Sequence, residues 1–293
     1  MDLNKIYNLD CINGIKRIED EKIDLVISDP PYFKVIGQKW DYMWKTETEY
    51  IEWSKLWLIE VERVLRKGGT FYLFGYFKIL IYLIPYIESL GFKLKQQVII
   101  NKGIRAVSGR ATKNYKMYPN VTESIIFFIK DPIPYSKKLL KTKQKELNLT
   151  SKEINKYLGM NTNGGGMWSI YTGKNVCEQL PTKENWEKLS KLLEFDIEYS
   201  KISVTFNHQM GYTDVWDDID FYFKNRIHPT QKPEKLIQRL ILTSSNPNDI
   251  VLDPFMGSGT TAVCSKKLNR QFIGFETDKN YYENSLKRLD ESI

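Results

Sequence analysis

Short apolar runs alternate with helix-spaced ones from Ile6 to about Pro134, give way over 135–225 to a lysine-rich stretch, and resume from Arg226. Such alternation packs strands between helices, so the expected architecture is an α/β fold with a largely parallel sheet, interrupted by an insert and then completed. The run 24–28 reads as a buried strand, being mostly apolar with charge before it and Pro30-Pro31 after it. Trp53, Leu56, Trp57, Val61, Val64 and Leu65 recur at helical spacing over 50–65, Gly68-Gly69 is read as closing that helix, and 70–74 as the next strand. A helix around 78–90 and strands near 97–101 and 124–130 follow. After the insert come a helix over 233–244, a strand at 250–252, a glycine-containing turn, a helix over 261–268, a strand at 272–275 and a last helix from Asn280.

The insert, taken as 135–225, has a different character. Between Ser136 and Met160 stand seven lysines (137, 138, 141, 143, 145, 152, 156) against two glutamates (146, 153). Thr150 and Glu153 have the spacing of a capping box, starting a short helix that stops near Gly159. Gly164-Gly165-Gly166 reads as a turn, and Thr182 can cap a helix carrying Trp186, Leu189, Leu192 and Leu193. Two readings stay open, a helix-turn-helix-like arrangement and an ordinary small helical insert.

The chain as a whole carries 43 basic against 36 acidic residues, a formal charge of +7, which suits a polyanionic partner without requiring one. Cys11, Cys177 and Cys264 are far apart and form no CxxC pair, and His208 and His228 are the only histidines. Neither a disulfide framework nor a metal site is expected, and a reducing cytoplasm is the expected compartment. The N-terminus has no signal-peptide pattern, and the most apolar run, 79–87, is too short to span a bilayer and contains Pro85.

Two motifs carry chemistry. Asp29-Pro30-Pro31-Tyr32 follows the first buried strand, at the end where open α/β sheets bind ligands. Two prolines stiffen the backbone, so the Pro30 carbonyl and the Asp29 carboxylate can converge on one spot. Two acceptors there would take both hydrogens of an exocyclic amine, and Tyr32 offers a flat face on which a base could stack. Holding both hydrogens draws the amine nitrogen toward a tetrahedral shape and makes its lone pair nucleophilic. The second motif is Asp253 to Thr261, with Gly257 and Gly259 between a strand and a helix; it lacks the third glycine of a dinucleotide fingerprint, since Ala262 stands there, and the lysine of a P-loop. The following strand leads to Glu276, placed to accept hydrogen bonds from a ribose diol. Together they suggest a nucleoside cofactor without a pyrophosphate.

At these residues the sequence resembles the S-adenosylmethionine-dependent DNA amino-methyltransferases, in their β-type motif order: the catalytic tetrapeptide first, a target-recognition region next, the cofactor loop last. The resemblance implies a Rossmann-like class I methyltransferase sheet in circularly permuted order, with a methyltransferase domain of 1–134 and 226–293. It makes Asp29, Pro30, Pro31 and Tyr32 catalytic. To the cofactor it assigns Asp29, His228, Thr230 and Lys232 of the HPTQKP segment, then Asp253, Pro254, Phe255, Gly257, Ser258, Gly259, Thr260 and Glu276. Asp10 is assigned beside the adenine, although Leu9 stands where the family usually has glycine.

The implied reaction moves a methyl group to N6 of an adenine flipped from duplex DNA. Cytosine N4 is the alternative, because the same geometry serves either amine; RNA or protein-glutamine methylation fits the motif order less well. Double-stranded DNA is the implied partner, with a homodimer and a cognate restriction endonuclease as further family associations. Lys102, Arg105, Arg110, Lys113 and Lys116, in a segment between two strands, are candidates for DNA phosphates. In the insert Trp168, Ser169, Lys174 and Asn175 are candidates for base edges. The segment 33–46, with Gly37, Trp40 and Trp44, reads as a mobile lid or as a packed aromatic loop.

Overall fold

The computed structural model describes residues 1–33, 43–107, 118–160, 166–173, 177–223 and 231–292. The chain divides into two units, Met1–Lys130 with Thr205–Ile293, and Asp131–Val204.

The first unit is built on an eight-stranded sheet. Its elements in chain order are β1 (Lys5–Tyr7), α1 (Cys11–Ile15), β2 (Ile23–Ser28), α2 (Glu47–Val64), β3 (Leu65–Gly75), α3 (Phe77–Ser89), β4 (Phe92–Asn101) and β5 (Thr122–Lys130). After the second unit's α4 (Ile133–Glu146), α5 (Ser151–Tyr157), α6 (Gly166–Tyr171) and α7 (Lys183–Leu192) come β6 (Val215–Trp216), α8 (Glu234–Ser244), β7 (Ile250–Asp253), α9 (Thr260–Lys267), β8 (Gln271–Phe275) and α10 (Lys279–Asp290). The strand order is β1-β8-β7-β2-β3-β5-β4-β6. Every neighbouring pair is parallel except those of β5, which runs antiparallel to both β3 and β4. A parallel return needs a crossover, usually a helix. Between β4 and β5 the described residues offer only the 3₁₀ turn Ile104–Val107, so β5 folds back beside its predecessor.

Both faces of the sheet are covered, which is why β3 is buried along almost its whole length. Phe71 and Leu73 pack with Trp57 and Leu58 of α2 and Leu80 and Leu83 of α3. Tyr72 and Phe74, one residue out of phase, pack on the other side with Leu236, Leu240 and Ile241 of α8.

One sequence expectation is corrected here. Gly68-Gly69 does not end the preceding helix: α2 stops at Val64 and β3 starts at Leu65. Ile23 pairs with Leu65, and the next pairing is Leu25 with Thr70, so the two glycines lie in a bulge of β3. Gly68 has φ +75°, a conformation a bulge needs and side chains resist. Arg66, in the same bulge, is fixed by its Nε donating to Asp24 Oδ1 at 2.7 Å.

The second unit is a small helical body with its own core, in which Trp186, Leu189, Leu193, Trp168, Tyr171, Leu140 and Ile154 meet. The capping box is present: Glu153 N donates to Thr150 Oγ1 at 3.3 Å and Thr150 N to Glu153 Oε2 at 2.7 Å. Gly159 follows α5 with φ +72°. Thr182 caps α7 by accepting from Asn185 N. Trp186 is fully buried and its indole donates to the Ile197 carbonyl at 2.7 Å. Gly166 opens α6 with φ +57°; Gly164 and Gly165 lie outside the described residues.

The unit's limits differ from the expected 135–225. Residues from 205 onward belong with the sheet, because Val215 pairs with Ile99 and Trp216 enters the core on the α8 face. A two-residue strand is too short to leave a periodic signal. Among the described residues no helix is long and apolar enough to cross a membrane, and no cluster of His, Cys, Asp and Glu could hold a metal ion.

Candidate active site

The connection leaving β2 runs toward β3, and that leaving β7 runs the opposite way, toward β8. Adjacent strands whose connections diverge leave a crevice at their carboxyl ends. The two motifs lie there, Asp29 to Tyr32 after β2 and Asp253 to Thr261 at the end of β7. One cavity of about 420 Å³ is lined by both, with Asp29, Tyr32, Phe255, Gly257 and Glu276 among its walls.

At the end lined by Asp29 and Tyr32 the cavity holds a buried ionic cluster. Lys232 Nζ lies 2.7 Å from Asp29 Oδ2 and 2.8 Å from Glu123 Oε1. The Tyr32 hydroxyl donates to Asp29 Oδ1 at 3.0 Å, with Glu123 Oε1 as a second acceptor at 3.2 Å. Lys102 Nζ reaches Glu123 Oε2 at 3.4 Å. Burial pushes the Asp29 carboxyl up, Lys232 pulls it back and Glu123 adds to the rise. Burial also opposes ionisation of Glu123, yet Lys232 and Lys102 together hold it below the usual carboxylate value. Lys232 is buried too, and the two carboxylates keep it firmly protonated. Tyr32 is held well above an ordinary phenol by burial and by the two carboxylates it faces.

The end lined by the glycine turn is built on backbone. Gly257 has φ +53° and Gly259 φ +76°, and a Cβ on Gly259 would stand 3.0 Å from Ser285 Cβ, so α10 packs against a bare turn. Gly257 N donates to Glu276 Oε2 and Asp278 N to Glu276 Oε1, each at 2.8 Å. Burial raises the Glu276 carboxyl, and these backbone donors offset part of the rise. Asp253 accepts from Thr261 Oγ1 at 2.6 Å and Phe255 N at 2.9 Å. Phe255 packs its ring on Trp53 and Trp57, closing the apolar wall. Ser258 and Thr260 are buried and joined to each other, and Arg288 donates to Thr260 Oγ1 at 2.8 Å, so both brace the turn.

Burial pushes Asp253 from its ordinary 3.8 to about 7. The folded protein thus keeps a proton between those values that the unfolded chain has released. Stability from this group is complete below pH 3.8 and is lost as pH rises through about 7. Asp253→Asn removes that loss, so its melting temperature relative to the parent is expected to climb between pH 4 and about 7 and to level off above that. A gap independent of pH, in parallel thermal melts, would contradict the burial assigned to Asp253.

Other sequence candidates are placed as follows. Asp10 lines the cavity, and its Oδ1 accepts from Asn13 N at 3.1 Å as the cap of α1. Lys232 lines the cavity as well, but its ammonium is engaged by Asp29 and Glu123. Arg105 is exposed in the 3₁₀ turn after β4. Ser169 Oγ donates to the Gly166 carbonyl at 2.8 Å, and Trp168 is 2% exposed, a core residue with its indole bonded to Gln144 Oε1, so no base edge can reach its ring. Trp44 is buried edge-on against Tyr50, as in a packed aromatic segment. Gly37, Trp40, Arg110, Lys113, Lys116, Lys174, Asn175, His228 and Thr230 lie outside the described residues. Glu123 escaped the sequence reading; its only signal is an acid two residues before the apolar run 125–129.

A family model described as DNA methylase, covering N6 and N4 enzymes, matches residues 23–287. The type II methyltransferase M.HpaI of Haemophilus parainfluenzae is 32% identical over 96% of this chain and 72% of its own length. The DNA adenine methyltransferase YhdJ of Escherichia coli K12 is 30% identical over 97% of this chain and 82% of its own. Among solved structures, the M1.HpyAVI–SAM complex superposes with a TM-score of 0.56 at 22% identity, covering 97% of this chain and 99% of that one, which speaks to the fold. A match over nearly the whole sheet-forming part of the chain, with its motifs gathered at one crevice, makes this chain a member of the N6/N4 DNA methylase family.

Proposed function

We propose that this protein transfers a methyl group from S-adenosylmethionine to N6 of an adenine turned out of duplex DNA. The observation that carries the reading is that the amine-binding tetrapeptide and the glycine turn with its acidic partner open into one cavity. The residues fit the cofactor: Gly257 and Gly259 keep the turn free of side chains, Glu276 presents a fixed carboxylate for a diol, and Phe255 supplies an apolar wall. Asp10, Asp253 and Glu276 are the acids that would hold its polar groups. When bound, the cofactor supplies an electrophilic methyl on a sulfonium.

The chain's own part is positioning and charge. Asp29 and the Pro30 carbonyl accept the two amine hydrogens, and Tyr32 stacks on the base, which must leave the helix for its amine to reach them. Fixed acceptors in a site shielded from water, together with orientation already set on binding, supply the rate. The second unit, expected to read the target sequence, and the basic residues after β4, expected to meet phosphates, complete the proposal.

Adenine is preferred because the tetrapeptide begins with aspartate, which in the resembled family leans to adenine, where serine leans to cytosine. M.HpaI and YhdJ, a type II and a DNA adenine methyltransferase by name, support the same class of substrate. Expression in a bacterial host stripped of its own DNA methylation, followed by nucleoside mass spectrometry, tests it. N6-methyladenine is expected; N4-methylcytosine would overturn the choice of base and leave the site intact.

The ribose role of Glu276 has its own test. Hydrogen bonds to a charged acceptor contribute about 1.5–3 kcal/mol, so Glu276→Ala is expected to weaken cofactor binding by about 10- to 100-fold in calorimetry. Unchanged affinity would remove Glu276 from the cofactor site.

A further inference from the structure

The carboxylate that an amine needs as acceptor is already occupied. Asp29 Oδ2 is 2.7 Å from Lys232 Nζ, and Asp29 Oδ1 takes the Tyr32 hydroxyl at 3.0 Å. Lys232 in turn is held by Glu123 Oε1 at 2.8 Å. That same oxygen stands 3.2 Å from the Tyr32 hydroxyl. Glu123 comes from β5, the antiparallel strand, and the Glu123 side chain is only 8% exposed. An ammonium shared between two carboxylates fixes both more firmly than either alone, because each buried charge would be costly unpaired.

We propose that Glu123 is a positioning residue for methyl transfer: it anchors Lys232 so that Asp29 is clamped through Oδ2 and presents Oδ1 to the amine, and it takes over the Tyr32 hydroxyl when the base displaces that hydroxyl from Asp29. The proposal rests on the amine-methylation reading above. It accounts for a carboxylate that has no place in the tetrapeptide or the cofactor turn yet touches the catalytic members of the site. The Tyr32 hydroxyl holds the place of the amine until the base arrives, and because Glu123 Oε1 lies within reach, moving aside leaves no buried hydroxyl unbonded. Asp29 alone, without the clamp, could turn its carboxyl away from the amine, and a displacement of about 1 Å can cost about 100-fold in rate.

The pH profile separates this role from a merely structural one. The groups acting on Asp29 are Lys232 and Tyr32 in direct contact, Glu123 beyond them, Asp253 at the end of β7 and Tyr50 of α2 through space, and Lys102 behind Glu123. Protonation of Asp29 removes an amine acceptor, so kcat falls on the acid side. Glu123→Gln removes a negative neighbour and leaves Lys232 to Asp29, so Asp29 stays ionised to lower pH. Lys232→Gln leaves two carboxylates facing each other, so Asp29 protonates at higher pH.

The experiment measures kcat against pH on mixed-sequence duplex with saturating S-adenosylmethionine, for the parent, Glu123→Gln, Lys232→Gln and the double variant. Glu123→Gln is expected to lower the plateau by about 10- to 100-fold with cofactor affinity retained. Its acid limb should move down, that of Lys232→Gln should move up by about 1 pH unit or more, and the double variant should return toward the parent. A Glu123→Gln limb at the parent position, whatever its kcat, overturns the proposal. If Glu123→Gln does not fold, Lys232→Gln decides alone: an upward limb supports the clamp and an unmoved limb overturns it. A parent that methylates no base at all would instead sink the underlying reading, before any variant is compared.

Discussion

Asp29→Ala is expected to lower methyl transfer by about 100- to 1,000-fold while leaving duplex binding largely intact, the loss seen when one preorganised electrostatic contact to a reacting group is removed. The reason is local. Asp29 is the side-chain acceptor at the end of β2 that faces the cavity, and its removal leaves Lys232 paired with Glu123 alone. The acids of the glycine turn are held by other donors: Glu276 by Gly257 N and Asp278 N, and Asp253 by Thr261 and Phe255 N. Single-turnover rates and a gel-shift titration on the same preparation check both halves. Retained activity would remove Asp29 from the amine site, and parallel loss of binding would turn its role into a structural one.

The second large effect is expected far from the cavity in sequence. Trp186 is fully buried at the centre of the helical unit, edge-on against Phe195, with its indole donating to the Ile197 carbonyl. Truncating a buried tryptophan costs about 3–5 kcal/mol, and a body of 131–204 has a small core to absorb that. Trp186→Ala should therefore open this unit selectively. Hydrogen exchange in α5, α6 and α7 should accelerate, whereas the protection of β2, β3 and β7 and the affinity for S-adenosylmethionine should stay as in the parent. If the unit reads the target, methylation of DNA falls with it. A variant with a disordered 131–204 that still marks the same sites would show that recognition resides elsewhere.

The sheet was legible because its central strands are apolar on both faces and its helices carry a clear stripe; 24–28, 250–252 and 272–275 stand within one residue of the observed strands. The site was legible where chemistry is local, in a tetrapeptide and a glycine turn. It was not legible where it is assembled across the sheet. Glu123 lies on β5, whose antiparallel placement is a property of strand order rather than of any motif. Lys232 stood beside the cofactor residues by resemblance, but its contacts with Asp29 and Glu123 follow from the approach to α8, which periodicity does not encode. The Gly68-Gly69 pair shows the same limit, since a glycine pair after a helix signals a stop, and only the pairing of Ile23 with Leu65 reveals a bulge. Trp168, polar at one edge and close after three glycines, looked available in sequence and is enclosed in the core of the helical unit.

The most direct test of the account incubates the purified protein with mixed-sequence duplex DNA and S-adenosylmethionine carrying a trideuterated methyl group, then digests the DNA for nucleoside mass spectrometry. The heavy methyl is expected on N6 of adenine, at a rate that Asp29→Ala lowers by about 100- to 1,000-fold. Tight cofactor binding with no heavy methyl on any exocyclic amine of the DNA would contradict it.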